Sequence, residues 1–269
     1  MLAALDAIPP PWLGGLSLLG EPWLDLALLL AAGVVAGIVN AMAGGGSFLT
    51  IPILIGLGLP AGTANGTIRV AVLAQNITLV GTFHKNGVRA HELSLRLAPA
   101  IIAGALLGSW LATRLDDQLF RPLIGAILVL WAVILVVKPD RFLHPPDEER
   151  PPRPITYALA LLIGIYGGFL QAGVGFPLLA LLSGHLGYDL VRANSVKASL
   201  VLAYTCLTLP VFALAGQIAW TPALVLATGT MIGAWLGARW QLDKGTAVVR
   251  WFVLVTVAIA GALMLRSAF

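Results

Sequence analysis

Residues 37–60 read GIVNAMAGGGSFLTIPILIGLGLP, an apolar helix that a glycine run interrupts before a second apolar stretch begins. The second stretch, near 48–58, is too short to cross a bilayer as a straight helix, which needs about 20 residues. Pro52 lies just inside it, and the first turn of a helix tolerates a missing N–H group. The pattern predicts a helix, a break at membrane depth and a half-helix.

The second half of the chain carries a related pattern. Residues 164–182 read GIYGGFLQAGVGFPLLALL, again with a glycine-rich break before a short apolar stretch. Residues 104–114, GALLGSWLATR, resemble residues 229–239, GTMIGAWLGAR, at an offset of 125 positions that Pro52 and Pro177 share. A spaced set of matches in one order predicts an internal duplication. The GxxxG pairs inside these matches indicate close helix packing.

Composition places the chain in a membrane. Of its 269 residues, 59% are hydrophobic and 10% are charged, whereas soluble domains average about 25% charged residues. Most of a soluble protein's surface needs polar cover, so this composition excludes a soluble enzyme, a nucleic-acid-binding domain and a disordered protein. Apolar runs occur near residues 24–43, 48–58, 65–83, 94–113, 119–138, 155–172, 176–184, 193–213, 221–238 and 247–266.

These runs predict an all-α polytopic integral membrane protein made of two inverted-topology repeats. Each repeat is expected to contain a broken helix with a short half-helix, plus three full transmembrane helices. Residues 24–138 form the first repeat and 154–269 the second, joined by a loop at 139–153 that is rich in proline and charge. Residues 1–23 lack Lys and Arg and are predicted to form an interfacial segment.

The distribution of Lys and Arg predicts the orientation, because these residues favour the cytoplasmic side. If each broken pair is a hairpin that returns to its starting side, and the N-terminus is outside, eleven cations lie inside and three outside. If each pair crosses once instead, the best division is eight against six. The hairpin arrangement is therefore favoured, in a cytoplasmic (inner) membrane with the 139–153 loop in the cytoplasm. Complete crossing by both members of each pair has the same parity and stays open.

The two breaks are the best candidates for a binding site. Non-helical backbone at membrane depth has to be buried in protein or to line a watery cavity. A half-helix that begins there aims N–H groups and a positive dipole end at the break, which favours an anion. Close packing at a kink is the alternative. The predicted substrate-binding residues at the breaks are Asn40, Gly44, Gly45, Gly46, Ser47, Thr50, Gln171, Gly173 and Gly175.

Two cations lie in the helices that follow the breaks. These helices open with TANGTIR and RANSVKA, in which Asn65 and Asn194 suit helix N-caps. Arg69 follows Asn65 by four residues and Lys197 follows Asn194 by three, so each pair can share a helical face. Either both cations snorkel to lipid headgroups, or they attract an anion toward the breaks from opposite sides. We include all four residues in the predicted site.

The chain offers little for cation transport or catalysis. No Asp, Glu or His falls in the middle of a predicted span, whereas cation pumps and proton-coupled carriers usually place one there. The single cysteine, Cys206, permits no intrachain disulfide. Motifs for phosphate binding, zinc hydrolysis or a serine nucleophile are absent from the sequence. We expect no enzyme activity, no metal and no cofactor.

The residues quoted above resemble the TauE/SafE family of membrane permeases. The resemblance rests on residues 37–60 followed by ANGTIRVAVLAQNITLVGTF, and on residues 164–182 followed by RANSVKASLVLAYTCLTLPVFALAGQIAW. It implies export or uptake of small sulfur-containing anions, such as sulfite or an organosulfonate like sulfoacetate. It also implies that the glycine breaks, Asn65 and Asn194 face the substrate. Gln171 and Val174 break the symmetry with the first glycine run, which favours one anion off the axis.

These observations predict a secondary transporter that moves a small sulfur-containing anion by alternating access, with the anion held at the breaks. The expected partners are the small anionic substrate and the lipid bilayer, with no nucleic acid. Three alternatives remain: an anion channel of the same fold, the membrane subunit of a larger complex, and an intramembrane enzyme. The sequence leaves open the identity of the anion, the direction of flux, the coupling ion and the oligomeric state.

Overall fold

The computed structural model describes residues 22–42, 44–88, 91–120, 122–123, 125–127 and 148–244. These residues form helices and loops, with no strand among them. The predicted segment 1–23 and the runs at 119–138 and 247–266 lie wholly or largely outside the described residues. The helices are α1 (Pro22–Met42), α2 (Ser47–Gly56), α3 (Ala61–Lys85), α4 (His91–Ala112), α5 (Pro154–Phe169), α6 (Gly175–His185), α7 (Leu190–Leu214) and α8 (Trp220–Lys244).

Four of these helices, α1, α4, α7 and α8, are long and apolar enough to cross a membrane. Each is at least 20 residues long, which is the length that a hydrocarbon core of about 30 Å requires. Helix α3 has 25 residues but carries several polar side chains among its apolar ones, and the protein buries much of it. The prediction of an all-α, multi-pass membrane protein is confirmed for the described residues by their helical content and these four apolar helices.

Helices α2 and α6 are shorter than the hydrocarbon core of a bilayer. Helix α2 has 10 residues, or about 15 Å at 1.5 Å per residue, which is half of a bilayer core. At the end of α6, His185 Nε2 lies 3.5 Å from Thr156 Oγ1 in the first turn of α5. The Arg150 N–H, just before α5, donates to Leu186 O at 2.9 Å. Helices α5 and α6 therefore form a hairpin that returns to the end where α5 begins.

Proline positions differ between the two short helices. Pro177 is the third residue of α6 and lies in its first turn, as the sequence predicts. Pro52 is the sixth residue of α2, so the expectation that it lies in the first turn is wrong. The helix begins at Ser47, immediately after the glycine run, because Gly46 is already helical in backbone conformation. The last six residues of α6, Ala180–His185, are π-helical.

Two pairs of helices pack closely through glycine. In the α4–α5 pair, a Cβ atom at Gly104 would collide with Leu161 O, and one at Gly108 would collide with Ile165 O. The contacts advance in the same direction along both helices, so α4 and α5 run parallel. The GxxxG glycines therefore serve packing, because no side chain fits between the two backbones.

The same arrangement recurs between α1 and α8. A Cβ atom at Gly33 would lie 2.9 Å from Leu226 O, and one at Gly37 would collide with Thr230 O. Glycines of α8 meet α1 reciprocally, since a Cβ atom at Gly229 would collide with Leu30 O. These contacts also advance in the same direction along both helices, so α1 and α8 run parallel.

Helices α3 and α7 cross at the centre of the molecule and run in opposite directions. Arg69, early in α3, contacts Thr208 and Phe212 in the second half of α7. Val72, one turn later, packs in one apolar cluster with Val201, which comes earlier in α7. The buried polar side chains of the described core concentrate on these two helices, which positions them beside the glycine breaks.

Candidate functional site

The two glycine breaks touch each other at the centre of the fold. Gly44 has a φ of +86° and Gly173 a φ of +72°, which are left-handed conformations that side chains disfavour. A Cβ atom at Gly44 would collide with the Cα atom of Gly175, and one at Gly175 would collide with Gly44. The rings of Phe48 and Phe176 stack beside this contact at a centroid distance of 5.7 Å. Glycine is therefore needed here for both dihedral angles and close approach.

A small cavity lies beside the crossing of the breaks. Its volume is about 20 Å³, enough for roughly one water molecule. Gly44 and Gly175 form part of its wall, and Val72, Val174 and Val201 supply an apolar side. None of the described residues that line it is acidic. Its polar lining comes from Asn40, Ser47, Gln75, Asn76, Gln171 and Lys197.

Lys197 is the cation in the wall of this cavity. The residue is 3% exposed, and its Nζ atom donates to Asn40 O at 2.9 Å and to Asn194 Oδ1 at 2.5 Å. Both acceptors are neutral, and within the described ranges no carboxylate pairs with Lys197. A buried ammonium group without a counter-charge is costly, and an anion in the cavity would offset that cost.

Asn40 connects the first break to the cavity. Its Oδ1 atom accepts a hydrogen bond from the Gly46 N–H at 2.7 Å, and its Nδ2 atom donates to Gln75 Oε1 at 3.1 Å. One of the backbone donors that the sequence offers to an anion is thus engaged by a side chain. The bond holds the glycine run against α1, so Asn40 both shapes the break and faces the cavity.

Gln171 has the corresponding role at the second break. Its backbone N–H donates to Asn65 Oδ1 at 3.3 Å, and its Nε2 atom donates to the Tyr204 hydroxyl at 2.9 Å. Its Oε1 atom accepts from Arg69 Nη1 at 3.2 Å. Gln171 therefore separates the cavity from Arg69 while it contacts both.

Arg69 is fully buried but does not line the cavity. Its two terminal nitrogens donate to Gly167 O, Gly168 O and Thr208 Oγ1 at 2.6 to 3.3 Å. The Phe212 ring lies 4.1 Å from its guanidinium carbon. The two carbonyls belong to the last turn of α5, where a helix leaves acceptors unpaired and carries partial negative charge. Its terminal N–H groups are thus directed at protein acceptors.

Asn65 and Asn194 cap helix ends from across the molecule. Asn65 Nδ2 donates to Phe169 O, the last residue of α5, at 2.9 Å, and Asn194 Nδ2 donates to Met42 O, the last residue of α1, at 3.1 Å. The expectation that they are N-caps is wrong, because both lie inside their helices. The N-cap of α3 is Pro60, and that of α7 is Asp189, whose carboxylate accepts from two backbone N–H groups.

The structure brings six of the predicted site residues to the cavity wall: Asn40, Gly44, Ser47, Gln171, Gly175 and Lys197. Gly46, Asn65, Arg69 and Asn194 stand behind them in hydrogen-bond contact, as described above. Gly45 packs against the Phe176 ring, and Gly173 against the Phe48 ring. Thr50 is buried in α2 away from the cavity lining. The predicted site omitted Gln75 and Asn76, although two adjacent amides in an otherwise apolar helix were a signal.

The chemistry of this cavity suits a small anion. It combines one ammonium group, several amides and a hydroxyl, with no acidic group in its described lining. Among the described residues, no three His, Cys, Asp or Glu side chains are grouped so that they could hold a metal ion.

Comparison with known proteins agrees with the resemblance. A family model described as "Sulfite exporter TauE/SafE" matches residues 29–264. The chain is 26% identical to a probable membrane transporter protein, ORF9, of Sinorhizobium sp., over 89% of the chain and 92% of that protein. It is 27% identical to a probable membrane transporter protein of Haemophilus influenzae, over 86% and 90%. Identity to the probable membrane transporter protein YfcA of Escherichia coli is 25%, over 91% of each chain. The chain belongs to the TauE/SafE family and is a membrane transporter.

Proposed function

We propose that this protein is a secondary transporter for a small sulfur-containing anion, either sulfite or an organosulfonate such as sulfoacetate. The anion binds in the central cavity, against Lys197, and reaches the two sides of the membrane in turn. The observation that carries the proposal is the buried Lys197 side chain in the cavity wall, whose Nζ atom donates to the neutral oxygens of Asn40 and Asn194. An oxyanion is the complementary ligand for such a group.

The amides around Lys197 supply the remaining recognition. Asn40, Gln75, Asn76 and Gln171 line the cavity with groups that can donate hydrogen bonds, and Ser47 adds a hydroxyl. Sulfite and sulfonate groups present three oxygens to such donors. The name of the matching family model, a sulfite exporter, supports this substrate class.

The residues behind the cavity wall hold the lining residues in place. In this proposal Asn65, Arg69 and Asn194 act from behind, by capping the broken helices that end at the cavity. Gly45, Gly173 and Thr50 complete the packing of the breaks. Arg69 adds positive potential through Gln171 but keeps its bonds to the end of α5.

Alternating access rests on an inverted repeat, which we also propose. The parallel pairs α1–α8 and α4–α5 are equivalent if α1 corresponds to α5 and α4 to α8, as the resemblance of residues 104–114 to residues 229–239 predicts. The opposite directions of α3 and α7 support inversion, because equivalent helices of inverted repeats are antiparallel. A cavity of about 20 Å³ is smaller than an organosulfonate, so loading requires the halves to move apart. That favours a carrier over an open channel.

The test is the thermal stability of the purified protein against a panel of small anions. A ligand that binds only the folded state raises the melting temperature with dose. We expect a shift with sulfite or an organosulfonate and none with chloride or acetate. Lys197→Gln should weaken the apparent affinity about 10- to 100-fold, since hydrogen bonds to a charged group contribute about 1.5–3 kcal/mol.

Lys85→Gln is the matched control, because Lys85 lies exposed at the end of α3. It should bind like the unsubstituted protein. Equal shifts in Lys197→Gln and Lys85→Gln would contradict the assignment of Lys197. A protein that no sulfur oxyanion stabilises would contradict the substrate class.

A further inference from the structure

A second, larger cavity lies at the end of the molecule where α5 begins. Its volume is about 570 Å³, and its walls come from the first turns of α4, residues 149–152 and the start of α7. Arg96, Arg150 and Arg192 line it, together with Glu92 and Glu149. The cavity is large enough for a hydrated small anion, and its described lining carries one more cation than anions.

The ion pairs in this cavity are exposed and exchangeable. Arg96 Nη2 lies 2.6 Å from Glu92 Oε1, one turn earlier in α4, and the two side chains are 54% and 83% exposed. Arg192 pairs with Glu149 across the cavity, also in partial exposure. Pairs of this kind contribute about 0–1 kcal/mol, so an incoming anion can displace a carboxylate. Arg150 has no ion pair within the part of the chain that the structure describes.

Tyr188 adds a neutral donor to the same wall. Its ring lies beneath Arg192, at 4.8 Å from the guanidinium carbon. Burial, followed by the nearby Glu149 carboxylate, raises the pKa of Tyr188 above its usual value. The phenol therefore stays protonated at neutral pH and can donate a hydrogen bond to an anion.

The outer and central cavities are joined by one apolar cluster. Leu93 and Val196 line the outer cavity and are 6% and 1% exposed. They belong to the same cluster as Val174 and Val201, which line the central cavity. Val196, in the lining of the outer cavity, directly precedes Lys197 in α7, so the distance along α7 from the outer cavity to Lys197 is short.

We propose that the outer cavity is an anion-collecting vestibule for the central cavity, with Arg96, Arg150 and Arg192 as its attracting groups and Leu93 and Val196 as its apolar gate. This inference rests on the proposed function and adds the route by which the substrate reaches Lys197. A cleft whose lining carries a net positive charge raises the local concentration of anions and their association rate. The apolar gate keeps water and ions out of the central cavity until the helices separate.

The test compares anionic and cationic thiol reagents at a cysteine in the wall of the vestibule. Cys206 is first replaced by serine, and Pro151→Cys places the reporter in the wall. Asn86→Cys is the matched reference, because Asn86 is exposed in the loop that leads into α4 and does not line the cavity. The reagents are a methanethiosulfonate with a sulfonate group and one with a quaternary ammonium group.

We expect the anionic reagent to be favoured at Pro151→Cys about tenfold more than at Asn86→Cys, at low salt. Arg150→Gln with Arg192→Gln should remove the excess, and 1 M salt should reduce it strongly. Equal charge preference at the two positions, or no effect of the arginine substitutions, would overturn the proposal. Because the thiol modification rates are measured without substrate, they test the vestibule proposal even if sulfur oxyanions fail to bind.

Labelling from one side of the membrane tests where the vestibule opens and whether the substrate passes through it. The orientation predicted from Lys and Arg places Pro151 in the cytoplasm, so a membrane-impermeant reagent should reach Pro151→Cys in inside-out vesicles and not in right-side-out ones. Modification there should block anion flux, whereas modification of Asn86→Cys should leave it unchanged. Flux that persists after complete modification at Pro151→Cys would show that the substrate takes another route.

Discussion

Lys197 and Arg69 are two buried cations that hold the ends of broken helices. Lys197 binds Asn40 O near the end of α1, and Arg69 binds Gly167 O and Gly168 O at the end of α5. A cation is favoured at a helix C-terminus by the unpaired carbonyls and the helix dipole. They differ in their surroundings, since Lys197 lines the cavity, whereas the terminal nitrogens of Arg69 donate to protein acceptors away from it.

Arg69→Gln should therefore act first on stability. Removing the guanidinium leaves the carbonyls of α5 and the Thr208 hydroxyl without a donor, at a cost of about 3 kcal/mol or more. We expect a large drop in the unfolding temperature of the detergent-solubilised protein. Arg114→Gln is the control, because Arg114 is exposed and its guanidinium lies over the Trp110 ring. If both variants unfolded at the same temperature, Arg69 would not have the structural role described here.

Gly44→Ala should abolish transport. The substitution meets a positive φ and the backbone of Gly175 at once, so the two breaks are forced apart. Gly87→Ala separates the two effects, since Gly87 also has a positive φ but has open space around its Cβ position. That variant should lose about 1–2 kcal/mol from strain and keep its flux. Normal flux in Gly44→Ala would count against a tightly packed crossing of the breaks.

At the scale of elements, the parallel pairs α1–α8 and α4–α5 form the framework around the breaks. Both depend on helix backbones that approach without intervening side chains. In a membrane the lipid is as apolar as the side chains, so close packing replaces the hydrophobic effect as the source of association. The framework holds α3 and α7 in place between the two pairs.

Gly108→Ala tests this framework. The added methyl group would collide with Ile165 O and lie 2.7 Å from Phe169 N, which should cost about 1–3 kcal/mol through overpacking. Gly81→Ala is matched, because Gly81 also lies inside a helix but nothing lies within 4 Å of its Cβ position. It should be neutral or stabilising, given the higher helix propensity of alanine. Equal unfolding free energies for the two variants would contradict the close contact of α4 and α5.

The helices and breaks could be predicted from the sequence, because apolar run length and glycine clusters are local signals. The partners of Asn65 and Arg69 could not, since Phe169 and Gly168 lie about a hundred positions away. The similar spacing of the two Asn–cation pairs also did not reveal that the two cations have different surroundings. At 100° per residue, Arg69 is turned about 40° one way from Asn65, and Lys197 is turned about 60° the other way from Asn194. Both side chains reach the end of a helix, but only that of Lys197 also lines the cavity.

At the scale of the whole molecule, the α5–α6 hairpin and the antiparallel α3 and α7 define two ends with different charge. The end where α5 begins carries Arg96, Arg150 and Arg192 around the outer cavity. At the other end, where α4 ends, the described residues include Asp116 and Asp117 beside Arg114. In the proposed orientation the basic end is cytoplasmic, so an anion would be collected from the cytoplasm.

The most direct test of the account is counterflow of sulfite and organosulfonates in proteoliposomes. Vesicles loaded with unlabelled anion should take up labelled anion transiently against its gradient, with saturation, and Lys197→Gln should abolish the uptake while Lys85→Gln preserves it. That result would show a carrier that binds its substrate at the central cavity. Flux that neither saturates nor shows counterflow, or counterflow that Lys197→Gln leaves unchanged, would contradict alternating access at this site.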